Sequence, residues 1–70
     1  MPNYKDLGED YYMEQPYDGA SWTIFYTPPG KEYYAVGYYN PKTQLLSWND
    51  RMTFDDKSWL EERIKKNVSS

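Results

Sequence analysis

The chain of 70 residues contains neither cysteine nor histidine. The absence of cysteine excludes disulfide bonds and thiolate metal sites, and the absence of histidine excludes imidazole ligands and imidazole acid–base catalysis. The groups left for chemistry are carboxylates, lysines, hydroxyls and phenols. Adjacent carboxylates such as Glu61-Glu62 point in different directions on a helix and form a poor acid–base pair. Oxygen ligands could bind Ca²⁺ or Mg²⁺, but the spacing of a calcium-binding loop is absent. We therefore expect no enzymatic activity, no cofactor and no metal site.

Long apolar runs and clustered basic residues are missing as well. No run is long enough to cross a bilayer, and the N-terminus lacks the charged-then-apolar pattern of a secretory signal. Eight basic residues against eleven acidic ones give a net charge of −3, which disfavours binding to double-stranded nucleic acid. We therefore expect a soluble cytoplasmic protein (in the host cytoplasm if the chain is viral) without a membrane partner, although the absence of cysteine is equally compatible with secretion.

Aromatic residues are abundant: three tryptophans, two phenylalanines and nine tyrosines make up 20% of the chain. Tyrosine combines a large contact area with few rotatable bonds and a hydroxyl that can face water or a partner. A chain of this length buries only a small core. The rings are therefore expected both to fill that core and to form a recognition surface.

Three runs in the middle of the chain predict β-strands. They consist of aromatic, β-branched and other apolar residues, a composition that suits a pleated surface. We place the strands near residues 22–27, 32–39 and 45–49. Pro28-Pro29-Gly30 and Asn40-Pro41-Lys42-Thr43 fit the two turns, because proline fixes φ and glycine accepts positive φ. The short connections predict a three-stranded antiparallel β-meander.

The segment near residues 55–67 predicts a C-terminal α-helix. Thr53 or Asp55 can cap it, and acidic residues lie early and basic residues late, as the helix dipole prefers. Its apolar stripe should pack on the sheet. The residues of that stripe are Trp59, Leu60 and Ile64. Residues 22–70 are thus expected to form one small β-β-β-α domain, an α+β fold.

Residues 1–21 are expected to form an irregular, acidic, tyrosine-rich arm. Gly8, Pro16 and Gly19 interrupt this segment, and no period of 2 or 3.6 residues lasts long enough to indicate an element. Its tyrosines nevertheless favour order from about Tyr11 onward, since disordered segments are usually poor in aromatics. We therefore expect the arm to lie across the sheet.

Symmetric turns would place Trp22, Val36 and Trp48 side by side. The heavier face would then carry Trp22, Ile24, Tyr26, Tyr34, Val36, Tyr38, Leu46 and Trp48, and the helix should cover it. The lighter face would carry Thr23, Phe25, Tyr33, Ala35, Gly37, Tyr39, Leu45 and Ser47. A bulge near Gly30 would exchange the faces of the first strand. The candidate binding surface combines the lighter face with the arm and consists of Phe25, Tyr33, Tyr39, Leu45, Tyr11 and Tyr12.

The aromatic runs bear a partial resemblance to WW domains. Trp22-Thr23, Gly30-Lys31 and Tyr33-Tyr34 are similar in spacing to the first half of that family, and Tyr38-Tyr39-Asn40, Thr43 and Trp48 to the second half. In WW domains a middle-strand aromatic and the second tryptophan bind proline-rich peptides. Here residues 35–38 would be an insertion, and no closing proline follows Trp48. We interpret the similarity as convergence on a three-stranded sheet.

The leading functional hypothesis is a non-enzymatic protein-binding module. It would be a small inhibitor or adaptor of the kind that viruses and mobile elements encode, with an unidentified protein partner. One helix can cover only one aromatic face of a sheet, so we also expect self-association as a homodimer or binding by a partner. The alternatives are a single-stranded nucleic-acid binder or an acidic nucleic-acid mimic, and small-ligand or sugar binding on aromatic platforms.

Overall fold

A computed structural model describes residues 2–49 and 54–69, which form five β-strands and one α-helix. The elements in chain order are β1 (Asn3–Gly8), β2 (Tyr11–Gln15), β3 (Trp22–Tyr26), β4 (Tyr34–Asn40), β5 (Leu45–Trp48) and α1 (Phe54–Ser69). The strands form one antiparallel sheet in the order of the sequence. The expected α+β class, with an antiparallel sheet and one C-terminal helix, is confirmed.

The prediction of three strands was wrong, because part of the expected irregular arm forms the hairpin β1–β2. Its turn residues Glu9 and Asp10 have φ angles of 55° and 67°, the pair of positive values that two-residue hairpins favour. Within β2, Tyr11, Met13 and Gln15 are buried while the residues between them are more exposed. This two-residue period places β2 beside β3 as a regular strand of the sheet.

A β-bulge in β4 changes the predicted faces. Ile24 pairs with Gly37 whereas Phe25 pairs with Ala35, so Val36 is an extra residue in β4. From Gly37 onward, the side chains of β4 therefore point to the faces opposite to those predicted. Gly37 and Tyr39 lie on the helix side of the sheet, not on the lighter face, and Tyr38 lies on the side away from the helix.

The bulge also changes the cross-strand neighbours of the two tryptophans. Trp22 pairs with Tyr39, and Trp48 pairs with Gly37; the predicted row of Trp22, Val36 and Trp48 was wrong. The register shift between β3 and β4 lies inside β4 and not near the Gly30 turn, where the sequence offered a possible bulge.

The core lies between the sheet and α1. Its buried apolar residues are Leu7, Tyr11, Met13, Trp22, Ile24, Val36, Tyr39, Leu60 and Ile64. Leu60 and Ile64 are fully buried, and the half-buried Trp59 packs against the same cluster, which confirms the predicted apolar stripe. The proposed cap Thr53 lies outside the described residues. Within the described part of the chain, no helix is long and apolar enough to span a membrane.

Gln15 is a buried polar residue that fixes the position of the hairpin. Its Nε2 donates to the carbonyl oxygen of Ala20 at 2.7 Å, and its Oε1 accepts from Asn3 Nδ2 at 2.6 Å. Asn3 Nδ2 also donates to Asp18 Oδ1 at 2.7 Å. Because a buried amide needs such partners, this network holds β1 against β2 and the following turn.

Candidate binding surface

Four aromatic rings contact one another on the outer face of the sheet, the face opposite to α1. They belong to Tyr4, Tyr12, Phe25 and Tyr33, and we call them the outer aromatic cluster. The ring centroids of Tyr4 and Tyr12 lie 5.3 Å apart, and Tyr12 stacks on Phe25 at 5.1 Å. Phe25 meets Tyr33 edge-on at 5.5 Å. These separations are typical of attractive ring pairs.

Strand register brings these rings together. Tyr12 of β2 pairs directly with Phe25 of β3, so both side chains leave the sheet on the same side at neighbouring positions. Tyr4 comes from β1, and Tyr33 lies just before β4. Tyr12 and Phe25 are half-buried, whereas Tyr4 and Tyr33 are each 61% exposed. The outer aromatic cluster therefore has a packed centre and an accessible rim.

Two more exposed apolar side chains lie on the outer face, on strands β4 and β5. Tyr38 in β4 is 54% exposed and Leu45 in β5 is 68% exposed. Tyr38 pairs with Thr23 on one side and with Ser47 on the other, which places it at an outer position of the sheet. Large exposed apolar patches of this type mark interaction sites more often than isolated exposed residues do.

The six predicted site residues are divided between the two faces. Tyr12, Phe25 and Tyr33 meet in the outer aromatic cluster, and Leu45 is exposed on β5. Tyr11 and Tyr39, in contrast, are buried in the core, with exposed fractions of 8% and 4%. Tyr39 lies on the helix side because of the bulge in β4. Tyr11 lies on the helix side because it and Tyr12 are neighbours in β2, and neighbouring side chains of a strand point to opposite faces.

Tyr4 and Tyr38 were missing from the predicted surface. Tyr38 was assigned to the covered face because the prediction assumed a regular strand; Gly37, next to Val36, was the available signal, since an isolated glycine inside a strand often marks a bulge. Tyr4 was missed because the sequence of β1 does not alternate between apolar and polar residues: one face carries Tyr4 and Asp6, and the other carries Lys5 and Leu7.

Acidic side chains surround the rings of the hairpin. Asp6 pairs with Tyr12, and Glu14 pairs with Tyr4, so two exposed carboxylates occupy outer positions between the tyrosines. Burial raises the pKa of Tyr12, and the nearby charge of Glu14 raises it further. The tyrosine is therefore neutral and able to donate a hydrogen bond across the physiological pH range.

A cleft of about 450 Å³ lies on the helix side of the sheet and is lined by Glu9, Tyr11, Tyr26, Asp56, Trp59 and Arg63. Arg63 lies over the ring of Trp59, 4.9 Å from its centroid, and its Nη1 donates to the carbonyl oxygen of Leu7 at 2.6 Å. Trp59 Nε1 donates to Asp56 Oδ1 at 3.3 Å. These contacts join α1 to β1, so we interpret the cleft as part of the helix docking site.

Within residues 2–49 and 54–69, no group of three or more histidine, cysteine or carboxylate side chains is placed to hold a metal ion. Comparison of the chain with protein-family models, curated proteins and solved structures finds no match.

Proposed function

We propose that the chain is a non-enzymatic protein-binding module that contacts its partner through the outer aromatic cluster. The observation that carries this proposal is the set of contacting, partly exposed rings on the face that α1 leaves open. Tyrosine and other aromatic residues are enriched among the residues that supply most of the energy of protein association. The half-buried centre keeps the rings in place, so little ordering is needed on binding.

A protein partner fits this face better than nucleic acid does. The charged residues at outer positions of the five described strands are Asp6 and Glu14, and both would repel a phosphate backbone. Stacking of bases on tyrosines would have to overcome that repulsion. The absence of histidine and cysteine supports a binding role over a catalytic one.

Affinity capture with matched variants tests the proposal. Tagged wild-type protein, Tyr33→Ala and Tyr17→Ala would be incubated with lysate of the producing cells or of a candidate host, and bound proteins would be quantified. Tyr17 is 66% exposed and lies in the β2–β3 connection, so it matches Tyr33 in type and exposure. A partner retained by wild type and Tyr17→Ala but lost by Tyr33→Ala is expected. Equal retention by all three would contradict the proposal.

A more specific hypothesis is that the module is an inhibitor or adaptor encoded by a virus or a mobile element and acts in the cytoplasm. Its support is the short length and the unusual aromatic content. Genes for capsid, replication or mobilisation proteins next to its own gene would favour this origin, and genes of a cellular operon would oppose it. A fluorescent fusion would test the location.

A further inference from the structure

Tyrosines and carboxylates alternate on the outer face of the hairpin β1–β2. On β1 the outer positions are Tyr4 and Asp6, and on β2 they are Glu14 and Tyr12, with Tyr4 opposite Glu14 and Asp6 opposite Tyr12. The two tyrosine rings meet along one diagonal of this square at 5.3 Å, and the two carboxylates occupy the other. We call these four residues the acidic tyrosine square.

We propose that the partner presents an arginine-bearing basic segment to the acidic tyrosine square, an inference that rests on the proposed function. The segment would place guanidinium groups on the faces of Tyr4 and Tyr12 and pair them with Asp6 and Glu14. The chemical basis is that a planar guanidinium stacks on aromatic rings and forms paired hydrogen bonds with carboxylates.

Charge complementarity supports this occupant. Asp6 Oδ1 accepts a hydrogen bond from the backbone nitrogen of Gly8 at 2.9 Å, so its second oxygen is left for a partner. An ion pair joins Lys65 to Glu61 on α1, away from this square. A cationic partner would therefore meet exposed carboxylates that form no ion pair with a lysine or arginine in residues 2–49 and 54–69.

A second copy of the chain fits the square less well. The chain carries a net charge of −3, and its outer strand positions offer no lysine or arginine to meet Asp6 and Glu14. Packing two such squares together would place carboxylates against carboxylates or against tyrosine rings, whose faces are also negative. The charges thus favour a basic partner over a homodimer through this part of the face.

The chain itself contains the same combination of groups on its other face. Arg63 lies 4.9 Å from the ring centroid of Trp59, and the indole Nε1 of Trp59 donates to Asp56. An arginine thus stacks on an aromatic ring in this fold, and the same ring donates a hydrogen bond to a carboxylate. Lysine would satisfy the charge but would lack the planar stacking surface.

The test uses the full-length, ¹⁵N-labelled protein and three octapeptide probes, in which serine alternates with arginine, lysine or glutamate. The arginine peptide is expected to shift the amide signals of Tyr4, Asp6, Tyr12 and Glu14 saturably. The lysine peptide should bind more weakly, and the glutamate peptide should cause no shifts. Raising the salt concentration should weaken the arginine complex, because its carboxylates are exposed.

Matched charge variants locate the binding. Glu14→Gln should weaken binding of the arginine peptide about threefold, as for exposed charge pairs. Glu62→Gln removes the same charge from an exposed position on α1 and should leave the affinity unchanged. Equal weakening by both variants, or shifts centred on α1, would overturn the inference. The same is true if the four amide signals move with protein concentration alone, which would identify a second copy as the occupant.

Binding of the captured partner to two variants distinguishes a failure of this inference from a failure of the proposed function. If its binding is lost in Tyr33→Ala but unchanged in the double variant Asp6→Asn/Glu14→Gln, the inference is wrong and the protein-binding proposal stands. If Tyr33→Ala has no effect, the proposed function itself fails. Loss of partner binding in both the Tyr33 variant and the double variant supports both.

Discussion

Gly37 has no side chain, and the ring of Trp48 therefore packs directly on the backbone of β4. A Cβ at this position would lie 2.8 Å from Trp48 Cε3 and 2.7 Å from the backbone oxygen of Ser47. Carbon atoms in contact are normally about 3.5–4 Å apart, so either the ring or the strand β5 would have to move. The glycine therefore determines how β5 and its tryptophan join the core.

Gly37→Ala should lower the free energy of unfolding by about 1–3 kcal/mol, as overpacking of a filled core does. Ser47→Ala is the control, because Ser47 is exposed on the neighbouring strand and its replacement should change stability by less than about 0.5 kcal/mol. Urea denaturation of both variants measures the difference. Equal stabilities would show that β5 adapts to the added methyl group.

The raised pKa of Tyr11 predicts that the folded protein loses stability at alkaline pH. Burial, followed by the charge of Asp56, raises its pKa from 10.0 to about 12. Folding thus favours the neutral form of Tyr11. The contribution of this form to the free energy of unfolding is complete below pH 10 and is lost as the pH rises from 10 towards 12. Because Tyr11 also lines the open cleft beside Asp56, solvent screening reduces the total loss to about 1–2 kcal/mol.

The variant Tyr11→Phe isolates this contribution, because it keeps the ring and removes the ionisable hydroxyl. Urea denaturation at pH 8 to 11.5 should show a shallower decline in stability for the variant than for wild type. Parallel curves for the two proteins would contradict the assignment to Tyr11.

Among the elements, α1 depends on two fully buried aliphatic side chains. Leu60→Ala should cost about 2–5 kcal/mol, because it leaves a cavity between helix and sheet. Trp59→Ala should lower the free energy of unfolding by less, roughly 1–2 kcal/mol, because Trp59 is half-buried and part of its ring already faces water. Thermal melting followed by circular dichroism would rank the two variants, with exposed Lys66→Ala as the control. A larger loss for Trp59→Ala would show that Trp59 is the main anchor.

The turn of the hairpin β1–β2 is strained by its sequence. Glu9 and Asp10 both have positive φ, which costs residues with a Cβ about 1–2 kcal/mol each in the left-handed region. Asn-Gly is the preferred pair for such a turn. The double variant Glu9→Asn/Asp10→Gly should therefore raise the free energy of unfolding by about 1 kcal/mol or more. A decrease on urea denaturation would mean that the two acidic side chains stabilise the turn.

The sequence predicted β3, β4, β5 and α1 because aromatic and β-branched runs, proline turns and the Leu60–Ile64 spacing are local signals. The hairpin β1–β2 was missed because its turn, Glu9-Asp10, is not a preferred hairpin pair and its strands include charged residues. The faces of Tyr38 and Tyr39 were predicted wrongly, because a glycine such as Gly37 inside a strand is compatible with a bulge or with a close backbone contact, and the sequence does not distinguish the two. Half of the predicted site residues, Tyr12, Phe25 and Tyr33, nevertheless meet in one cluster.

At the scale of the whole molecule, α1 covers one face of the sheet and the outer aromatic cluster occupies the other. The expected arm does not shield this outer face, since residues 3–15 add two strands to the sheet and extend the face with Tyr4 and Tyr12. The rings are therefore held in a fixed array beside two carboxylates. In the proposed function, this sheet face is the platform that contacts the partner.

Calorimetric titration of the captured partner with three forms of the protein tests this central claim most directly. Tyr33→Ala should weaken binding by about tenfold or more, as loss of an aromatic hot-spot residue does. The control Tyr17→Ala should bind within about twofold of wild type, because its ring lies outside the outer aromatic cluster. Affinities that are the same for wild type and Tyr33→Ala would contradict the claim that the outer aromatic cluster is the binding surface.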